Sequence, residues 1–169
     1  MKITYIAHSG FLAELEHTLL LFDYYQGEVP ELPGDKKLYV FASHRHPDHF
    51  NPEIFQLAKD REQVWYVLSH DIWKSRVPEE WKARTVHLKP GTEWEHEGVG
   101  VQTLRSTDEG VAFLVQAEGK TLYHAGDLND WRWEGEPENW NRQMEEKFHR
   151  YIEPLRGKHM DAAFVPLDP

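Results

Sequence analysis

The stretch Phe41-Ala42-Ser43-His44-Arg45-His46-Pro47-Asp48-His49-Phe50 decides how this 169-residue chain is read. Three histidines and an aspartate fall between positions 44 and 49, directly after the apolar run Leu38-Tyr39-Val40-Phe41-Ala42. A continuous apolar run of that length suggests a strand buried on both faces. The polar donors then sit at the strand's carboxyl end, where α/β proteins place ligands. Asn51-Pro52-Glu53 reads as an N-cap, a proline at the first helical position and an acidic first turn. Ile54, Phe55, Leu57 and Ala58 give that helix an apolar side. The donors therefore lie on a strand-to-helix loop, which Pro47 restricts further. Imidazole nitrogens and carboxylate oxygens are the ligands of zinc and similar divalent ions. His44 and His46, two apart on an extended segment, point the same way and can share one ion. Asp48 and His49, where the loop has begun to turn, can hold a second. A solvated capping loop is the plainer account of such residues, but several donor types coinciding at one strand end favour metal.

Working outward, Met1–Ala7, Phe11–Glu16 and Thr18–Phe22 read as strands of a β-meander, with His8-Ser9-Gly10 as its first turn and Asp23 at its end. Tyr24–Lys37 is a loop rich in proline and glycine. Gln63–Ser69 and Thr85–Leu88 are strands, with short helical pieces at Asp71–Ser75 and Pro78–Lys82. Glu93–Glu97, Gly98–Leu104, Val111–Gln116 and Lys120–His124 alternate as strands. Two polar loops, Ser106–Gly110 and Ala125–Asp130, interrupt them. A helix is expected from about Glu138 to Arg156, since Trp140, Met144, Phe148, Tyr151, Ile152 and Leu155 recur at helical spacing. Pro154 should loosen its last turn and Gly157 stop it. Asp161–Leu167 is expected as a final strand. No repeat or linker divides the chain, so a single domain over residues 1–169 is expected.

Composition narrows the chemistry. Cysteine is absent, so thiolate ligands, thiol nucleophiles and disulfides are excluded, and any transition-metal site must use His, Asp and Glu. The formal net charge of -10 and the lack of a basic stripe argue against a nucleic-acid partner. No apolar run is long enough to span a membrane, and no signal peptide is recognised at the N-terminus. A cytoplasmic protein acting on a small-molecule substrate is the expectation.

His44-Arg45-His46-Pro47-Asp48-His49 resembles the HxHxDH signature of the metallo-β-lactamase-fold hydrolase superfamily. Tyr123-His124-Ala125-Gly126-Asp127 resembles that superfamily's strand-then-Gly-Asp motif, and Asp23 falls where the family often has an aspartate supporting the metal loop. The start His8-Ser9-Gly10-Phe11 resembles a branch with lactone-hydrolysing and uncharacterised cytosolic members. The resemblance implies an α/β fold, an αββα sandwich. It implies a pair of divalent ions, zinc foremost, with manganese, iron or nickel as other occupants. His44 and His46 would bind the first ion, Asp48 and His49 the second, and Asp127 would bridge both. A hydroxide held between the ions would attack an ester, lactone or phosphodiester, with Asp48 orienting it. The family usually supplies a further histidine near residues 105–110. This chain has none there, and Asp108 is the candidate replacement. One more histidine would follow a later strand, so the second half of the fold is expected to be incomplete. A metal-binding but catalytically deficient domain is the alternative, and an unprotected sheet edge would favour a homo-oligomer. Asp168, at the last expected strand end, is a further candidate near the site.

His8, His124 and Trp131 are candidate substrate or supporting residues. Each also has a structural account: His124 as a hydrogen-bonded core histidine, and Trp131 with Trp133 as simple packing. Arg45 and Arg105 are candidate anion binders. Ser9 beside His8 lacks a third partner and does not make a triad.

Overall fold

The computed structural model describes residues 1–167, so Asp168 lies outside the described residues. The chain divides into two compact units, residues 1–89 and 90–169, each carrying one sheet. The fold is α/β with few helices, and its strands follow the apolar runs closely.

In the first unit, β1 (Lys2–Ala7), β2 (Gly10–Glu14) and β3 (Thr18–Phe22) form the expected antiparallel meander. β4 (Lys37–Ala42), β5 (Val64–Ser69) and β6 (Thr85–Leu88) then add in parallel, giving a six-stranded sheet in chain order. Parallel pairing of β3 with β4 demands a long crossover. That crossover, residues 23–36, is pinned by Arg61. Its guanidinium donates to the carbonyls of Leu32 (2.9 Å), Pro33 (2.7 Å) and Lys36 (2.5 Å).

One face of this sheet presents Leu19, Leu21, Leu38, Val40, Tyr66 and Leu68 to Phe50, Ile54 and Phe55, all buried. Each such side chain stabilises the fold by roughly 1.5–3 kcal/mol. The histidine loop is thus held at both ends, by β4 before it and by Phe50, Ile54 and Phe55 after it. Its own backbone closes on itself, the amides of His49 and Phe50 both donating to the carbonyl of His46 (3.0 and 2.9 Å).

The helix after the loop is shorter than expected. α1 spans only Ile54–Leu57, and its N-cap is Glu53, without a side-chain capping bond. Asn51 stands before the helix instead. Its Oδ1 accepts from the Glu53 amide (2.9 Å) and its Nδ2 donates to the Tyr25 carbonyl (2.7 Å), tying the loop's exit to the end of the meander. The pieces between β5 and β6 are 3-10 turns, Lys74–Arg76 and Glu79–Arg84.

In the second unit, β7 (Glu93–His96), β8 (Val99–Arg105), β9 (Val111–Ala117) and β10 (Lys120–His124) pair as successive antiparallel neighbours. The turns Glu97-Gly98 (φ 46° and 85°) and Glu118-Gly119 (φ 50° and 72°) are left-handed at both central residues, the geometry that matches strand twist in two-residue hairpins. α2 (Glu138–Ile152) sets Phe148, Tyr151 and Ile152 against Leu104, Leu114 and Tyr123. Past Ile152 the helix tightens to a 3-10 turn, Glu153–Leu155, at Pro154, and Gly157 follows with φ 74°.

The last strand, β11 (Ala162–Phe164), is shorter than the expected 161–167 and lies parallel to β10. Asp161 precedes it, its amide donating to the Thr121 carbonyl (2.8 Å) and its side chain adding two more bonds. It accepts from Lys120 Nζ (2.8 Å) and the Thr121 amide (2.9 Å). Those bonds, Lys120's first, hold its carboxyl below the usual carboxylate range. Among the described residues no helix is long and apolar enough to cross a membrane.

Candidate metal centre

The parallel register of β3 on β4 places Asp23 beside Ser43. Phe22 pairs with Phe41, the Asp23 amide continues the ladder to the Phe41 carbonyl (3.0 Å), and the Asp23 backbone turns left-handed at φ 41°. Aspartate tolerates that conformation better than most residues. Its carboxylate is fully buried and meets the start of the histidine loop. Oδ1 accepts from the Ser43 amide at 2.7 Å. Oδ2 accepts from Ser43 Oγ at 2.5 Å and faces His49 Nδ1 at 2.8 Å.

Electron-pair counting then sets the tautomers. An ionised carboxylate only accepts, so the Ser43 hydroxyl donates to Asp23, and His49 Nδ1 carries a proton toward it. Ser43 Oγ, with its hydrogen committed, accepts from His44 Nδ1 at 3.0 Å. In both His44 and His49 the proton therefore sits on Nδ1, leaving Nε2 with its lone pair for a metal. Partners of this kind orient ligands and raise their basicity. One buried aspartate, acting directly and through Ser43, orients two histidines.

His44 Nε2 lies 3.0 Å from His46 Nδ1, and the His44 and His49 ring centroids are 4.1 Å apart. Ligand atoms of His8, Asp48 and His49 lie within 4.8 Å of one another, with His8 Nε2 at 3.2 Å from Asp48 Oδ2. Four imidazoles and a carboxylate thus crowd one corner of the first unit. Apolar packing does not call for such a cluster, whereas the donor chemistry suits borderline divalent ions.

His8 reaches this corner through the β1–β2 turn. It is left-handed at φ 51°, and Gly10 lets the turn close. A Cβ there would lie 2.8 Å from the Ala7 carbonyl oxygen and 3.3 Å from that of Asp23. Since both obstacles are backbone, Gly10→Ala is expected to cost about 1–3 kcal/mol through overpacking. A thermal melt unchanged from the parent would refute that account.

In the second unit, Asp108 stands on the loop between β8 and β9, and Asp127 on the loop after β10. A carboxylate oxygen of each lies within 4.8 Å of the other. Thr107 joins the two loops. Its Oγ1 donates to the Asn129 carbonyl (2.7 Å) and accepts from the Asn129 amide (3.0 Å). The Asp127 carbonyl accepts from Trp131 Nε1 at 2.9 Å, and Trp131 stacks on Trp133 with centroids 6.0 Å apart. His124 is buried and its Nδ1 accepts from the Gly126 amide at 3.2 Å, bracing the turn before Asp127. Arg45 donates its amide to Asp71 (3.1 Å), and the Arg105 guanidinium lies 5.9 Å from the Tyr151 ring centroid.

Ser43 and Thr107 were not singled out among the expected site residues. Each is a small hydroxyl residue immediately before a candidate ligand, His44 or Asp108, at the end of a strand or in the loop after it. That adjacency was the available signal.

The profile of the family described as the beta-lactamase superfamily domain matches residues 2–136. The chain belongs to that superfamily. A UPF0173 metal-dependent hydrolase of Opitutus terrae is 33% identical over 146 residues, covering 75% of this chain and 63% of that protein. The chain thus spans less than two thirds of the curated relatives it matches. Among solved structures, a Parabacteroides distasonis protein assigned provisionally as a metal-dependent hydrolase superposes with a TM-score of 0.58 at 13% identity, over 95% of this chain and 90% of that one. CmlA, a diiron beta-hydroxylase from Streptomyces venezuelae, gives 0.55 at 15% identity, over 94% of this chain and 38% of that one. At such identities these structures speak for the beta-lactamase superfamily fold alone.

Proposed function

We propose that this chain is a metal-dependent hydrolase of a small ester, lactone or phosphodiester, and that its units together form one domain. The single observation that carries the reading is the Asp23–Ser43 arrangement, which holds the protons of His44 and His49 on Nδ1 and so keeps both Nε2 atoms in the form that can ligate a metal. In this reading His44 and His46, with Asp108 and Asp127 as oxygen donors, would hold one ion. Asp48 and His49 would hold a second, with Asp127 as the donor that the family signature implies for both. The family signature and the donor types support that division.

Divalent ions at such a donor set supply electrophilic pull on a substrate oxygen and acidify a water molecule. The chain's own residues do the rest. Asp23 and Ser43 keep the imidazoles in the ligating tautomer. His8, beside Asp48, can donate a hydrogen bond to a substrate oxygen or take up a proton. Thr107 and His124 hold the loops that carry Asp108 and Asp127. Zinc fits these ligands, and a cytoplasmic setting is part of the same proposal.

The test is metal analysis of the protein after loading with zinc, manganese or iron, followed by hydrolysis assays on carboxylic esters, lactones and phosphodiesters. Metal uptake with turnover of one class is expected. Stable uptake without turnover of any class would favour the alternative of a metal-binding, non-catalytic domain. Absence of stoichiometric uptake would end the metal reading altogether.

A further inference from the structure

The histidine loop is held from both sides of its strand. β4 lies between two parallel neighbours, β3 and β5, whose registers set Phe22 beside Phe41 and Leu68 beside Ala42. The residues just past these three strands therefore meet at one end of the sheet. Asp23, directly after β3, accepts from the Ser43 amide at 2.7 Å. Asp71, shortly after β5, accepts from the Arg45 amide at 3.1 Å through Oδ2. Two carboxylates thus take the amides on either side of His44, and the second of those amides directly precedes His46. The proposed function gives Asp23 a task and Asp71 none.

The bonding of Asp71 itself does not explain its presence. Oδ2 bonds to the loop, and Oδ1 is buried with no hydrogen-bond partner among the described residues. A carboxylate oxygen shut from water without a donor is unfavourable, and such exceptions call for a reason. The neighbours of Asp71 make it a fixed acceptor. The His70 amide donates to the Leu88 carbonyl (2.9 Å) and the Ile72 amide to the Ser69 carbonyl (3.1 Å), while the Ile72 side chain is fully buried in the core of the first unit. Arg45, by contrast, is exposed, so burial does not fix the backbone between the two histidines.

We propose that Asp71 is a positioning residue of the metal centre. By holding the Arg45 amide it fixes the backbone between His44 and His46, and with it the 3.0 Å approach of His44 Nε2 to His46 Nδ1. Ligand groups work only when held within about 0.5 Å of their productive geometry by supporting hydrogen bonds. This role rests on the metal reading of the proposed function. It differs from that of Asp23, which sets the protons of His44 and His49 through Ser43 and by direct contact. Asp71 bonds to loop backbone, so its removal should leave those tautomers unaltered.

Zinc titration of the full chain against a chromophoric chelator tests the proposal. Asp71→Ala should weaken zinc binding by about tenfold, the lower end of the loss expected for an outer partner. Asp71→Asn should bind within about threefold of the parent, well under the 1.4 kcal/mol of a tenfold change, because its amide oxygen can still accept from Arg45. Both variants should melt close to the parent, since Asp71 is only partly buried and Arg45 is exposed. Nitrogen NMR of metal-free Asp71→Ala should still show His44 and His49 protonated on Nδ1. Parental zinc affinity in Asp71→Ala would overturn the proposal while leaving the metal reading intact. Asp71→Asn binding as weakly as Asp71→Ala would overturn it too, by making charge the cause. So would a tautomer change in Asp71→Ala, which would place the residue in the Asp23 network. A parent chain that takes up no zinc, manganese or iron would instead defeat the proposed function, and this role with it.

Discussion

Asp23→Asn is expected to strip metal affinity from the histidine loop while leaving the chain folded. Asparagine has nearly the same shape, but one of its two terminal atoms is a donor. The Ser43 amide requires an acceptor at the Oδ1 position, 2.7 Å away, so the new amide nitrogen must occupy the Oδ2 position. There it meets Ser43 Oγ and His49 Nδ1, both of which had been donors. Each must reverse. His49 Nδ1 becomes the acceptor, and its proton moves to Nε2. Ser43 Oγ accepts from the new amide and turns its own hydrogen to His44 Nδ1, so the His44 proton also moves to Nε2. One substitution outside the proposed ligand set would therefore protonate two of its candidate ligand nitrogens.

Loss of a single outer partner typically costs about 10–100-fold in metal affinity, and two affected ligands place the expected loss at the upper end or beyond. Nitrogen NMR of the histidine rings in metal-free protein should show both on the Nε2–H tautomer. A variant that keeps parental affinity and Nδ1–H tautomers would sink the account of the buried aspartate. Asp23→Ala is a harsher change. It takes from the Ser43 amide and His49 Nδ1 the carboxylate that accepted from them, which costs roughly 1–3 kcal/mol for each group left unsatisfied. It should lower the melting temperature more than Asp23→Asn does.

His46→Ala and Asp127→Ala should abolish hydrolysis without unfolding the protein. His46 and Asp127 are only partly buried, so truncation removes little packing, unlike truncation of the fully buried Phe41 or Phe55. Their value lies in their donor atoms. The expected loss of turnover exceeds about 100-fold, since removal of a ligand should cost more than removal of an outer partner. Metal stoichiometry separates their roles. In the proposed arrangement His46 serves one ion and Asp127 both, so His46→Ala should retain more bound metal than Asp127→Ala. Equal turnover in parent and variants would remove these residues from the reaction, and unchanged metal content would remove them from the ligand set.

Much of this was readable from residue order because local and tertiary preferences agree. The apolar runs of β3 and β4 specify strands buried on both faces, and the signature at 44–49 directly after β4 specifies where the donors lie. Gly119 announces its hairpin turn and Pro154 the loosened end of α2, whereas Gly98, read as the first residue of a strand, lies in the turn before β8 with φ 85°. Disagreement arose where side chains do what the backbone was expected to do. Asn51 reads as a helix cap, yet its side chain holds the Tyr25 carbonyl, and α1 shrinks to a single turn. Asp161 reads as a strand residue, and its amide does bond the Thr121 carbonyl, yet the Thr121 amide is taken by its carboxylate and β11 begins one residue later. Ser43 was invisible for a different reason. Its role depends on the β3–β4 register that brings Asp23 alongside it, and a register between strands joined by a long crossover is not written in local pattern. Asp23 itself stood out only through the family resemblance, because a lone aspartate after a strand is ordinarily a turn residue.

The crossover of residues 23–36 has a consequence for the order of folding. The meander β1–β3 and the hairpins β7–β10 close over short sequence separations, whereas the Asp23–Ser43 contact closes across 20 residues. Non-local contacts cost more chain entropy and form more slowly than local ones. The histidines of the nascent chain therefore exist for a time without the carboxylate that sets their protons. Under the proposed function, an ion captured in that interval would meet flexible imidazoles, with little geometric discrimination among metals. Arg61 reaches the carbonyls of Leu32, Pro33 and Lys36 across still longer separations of 29, 28 and 25 residues, so its clasp on the crossover is expected to close no earlier than the Asp23–Ser43 contact.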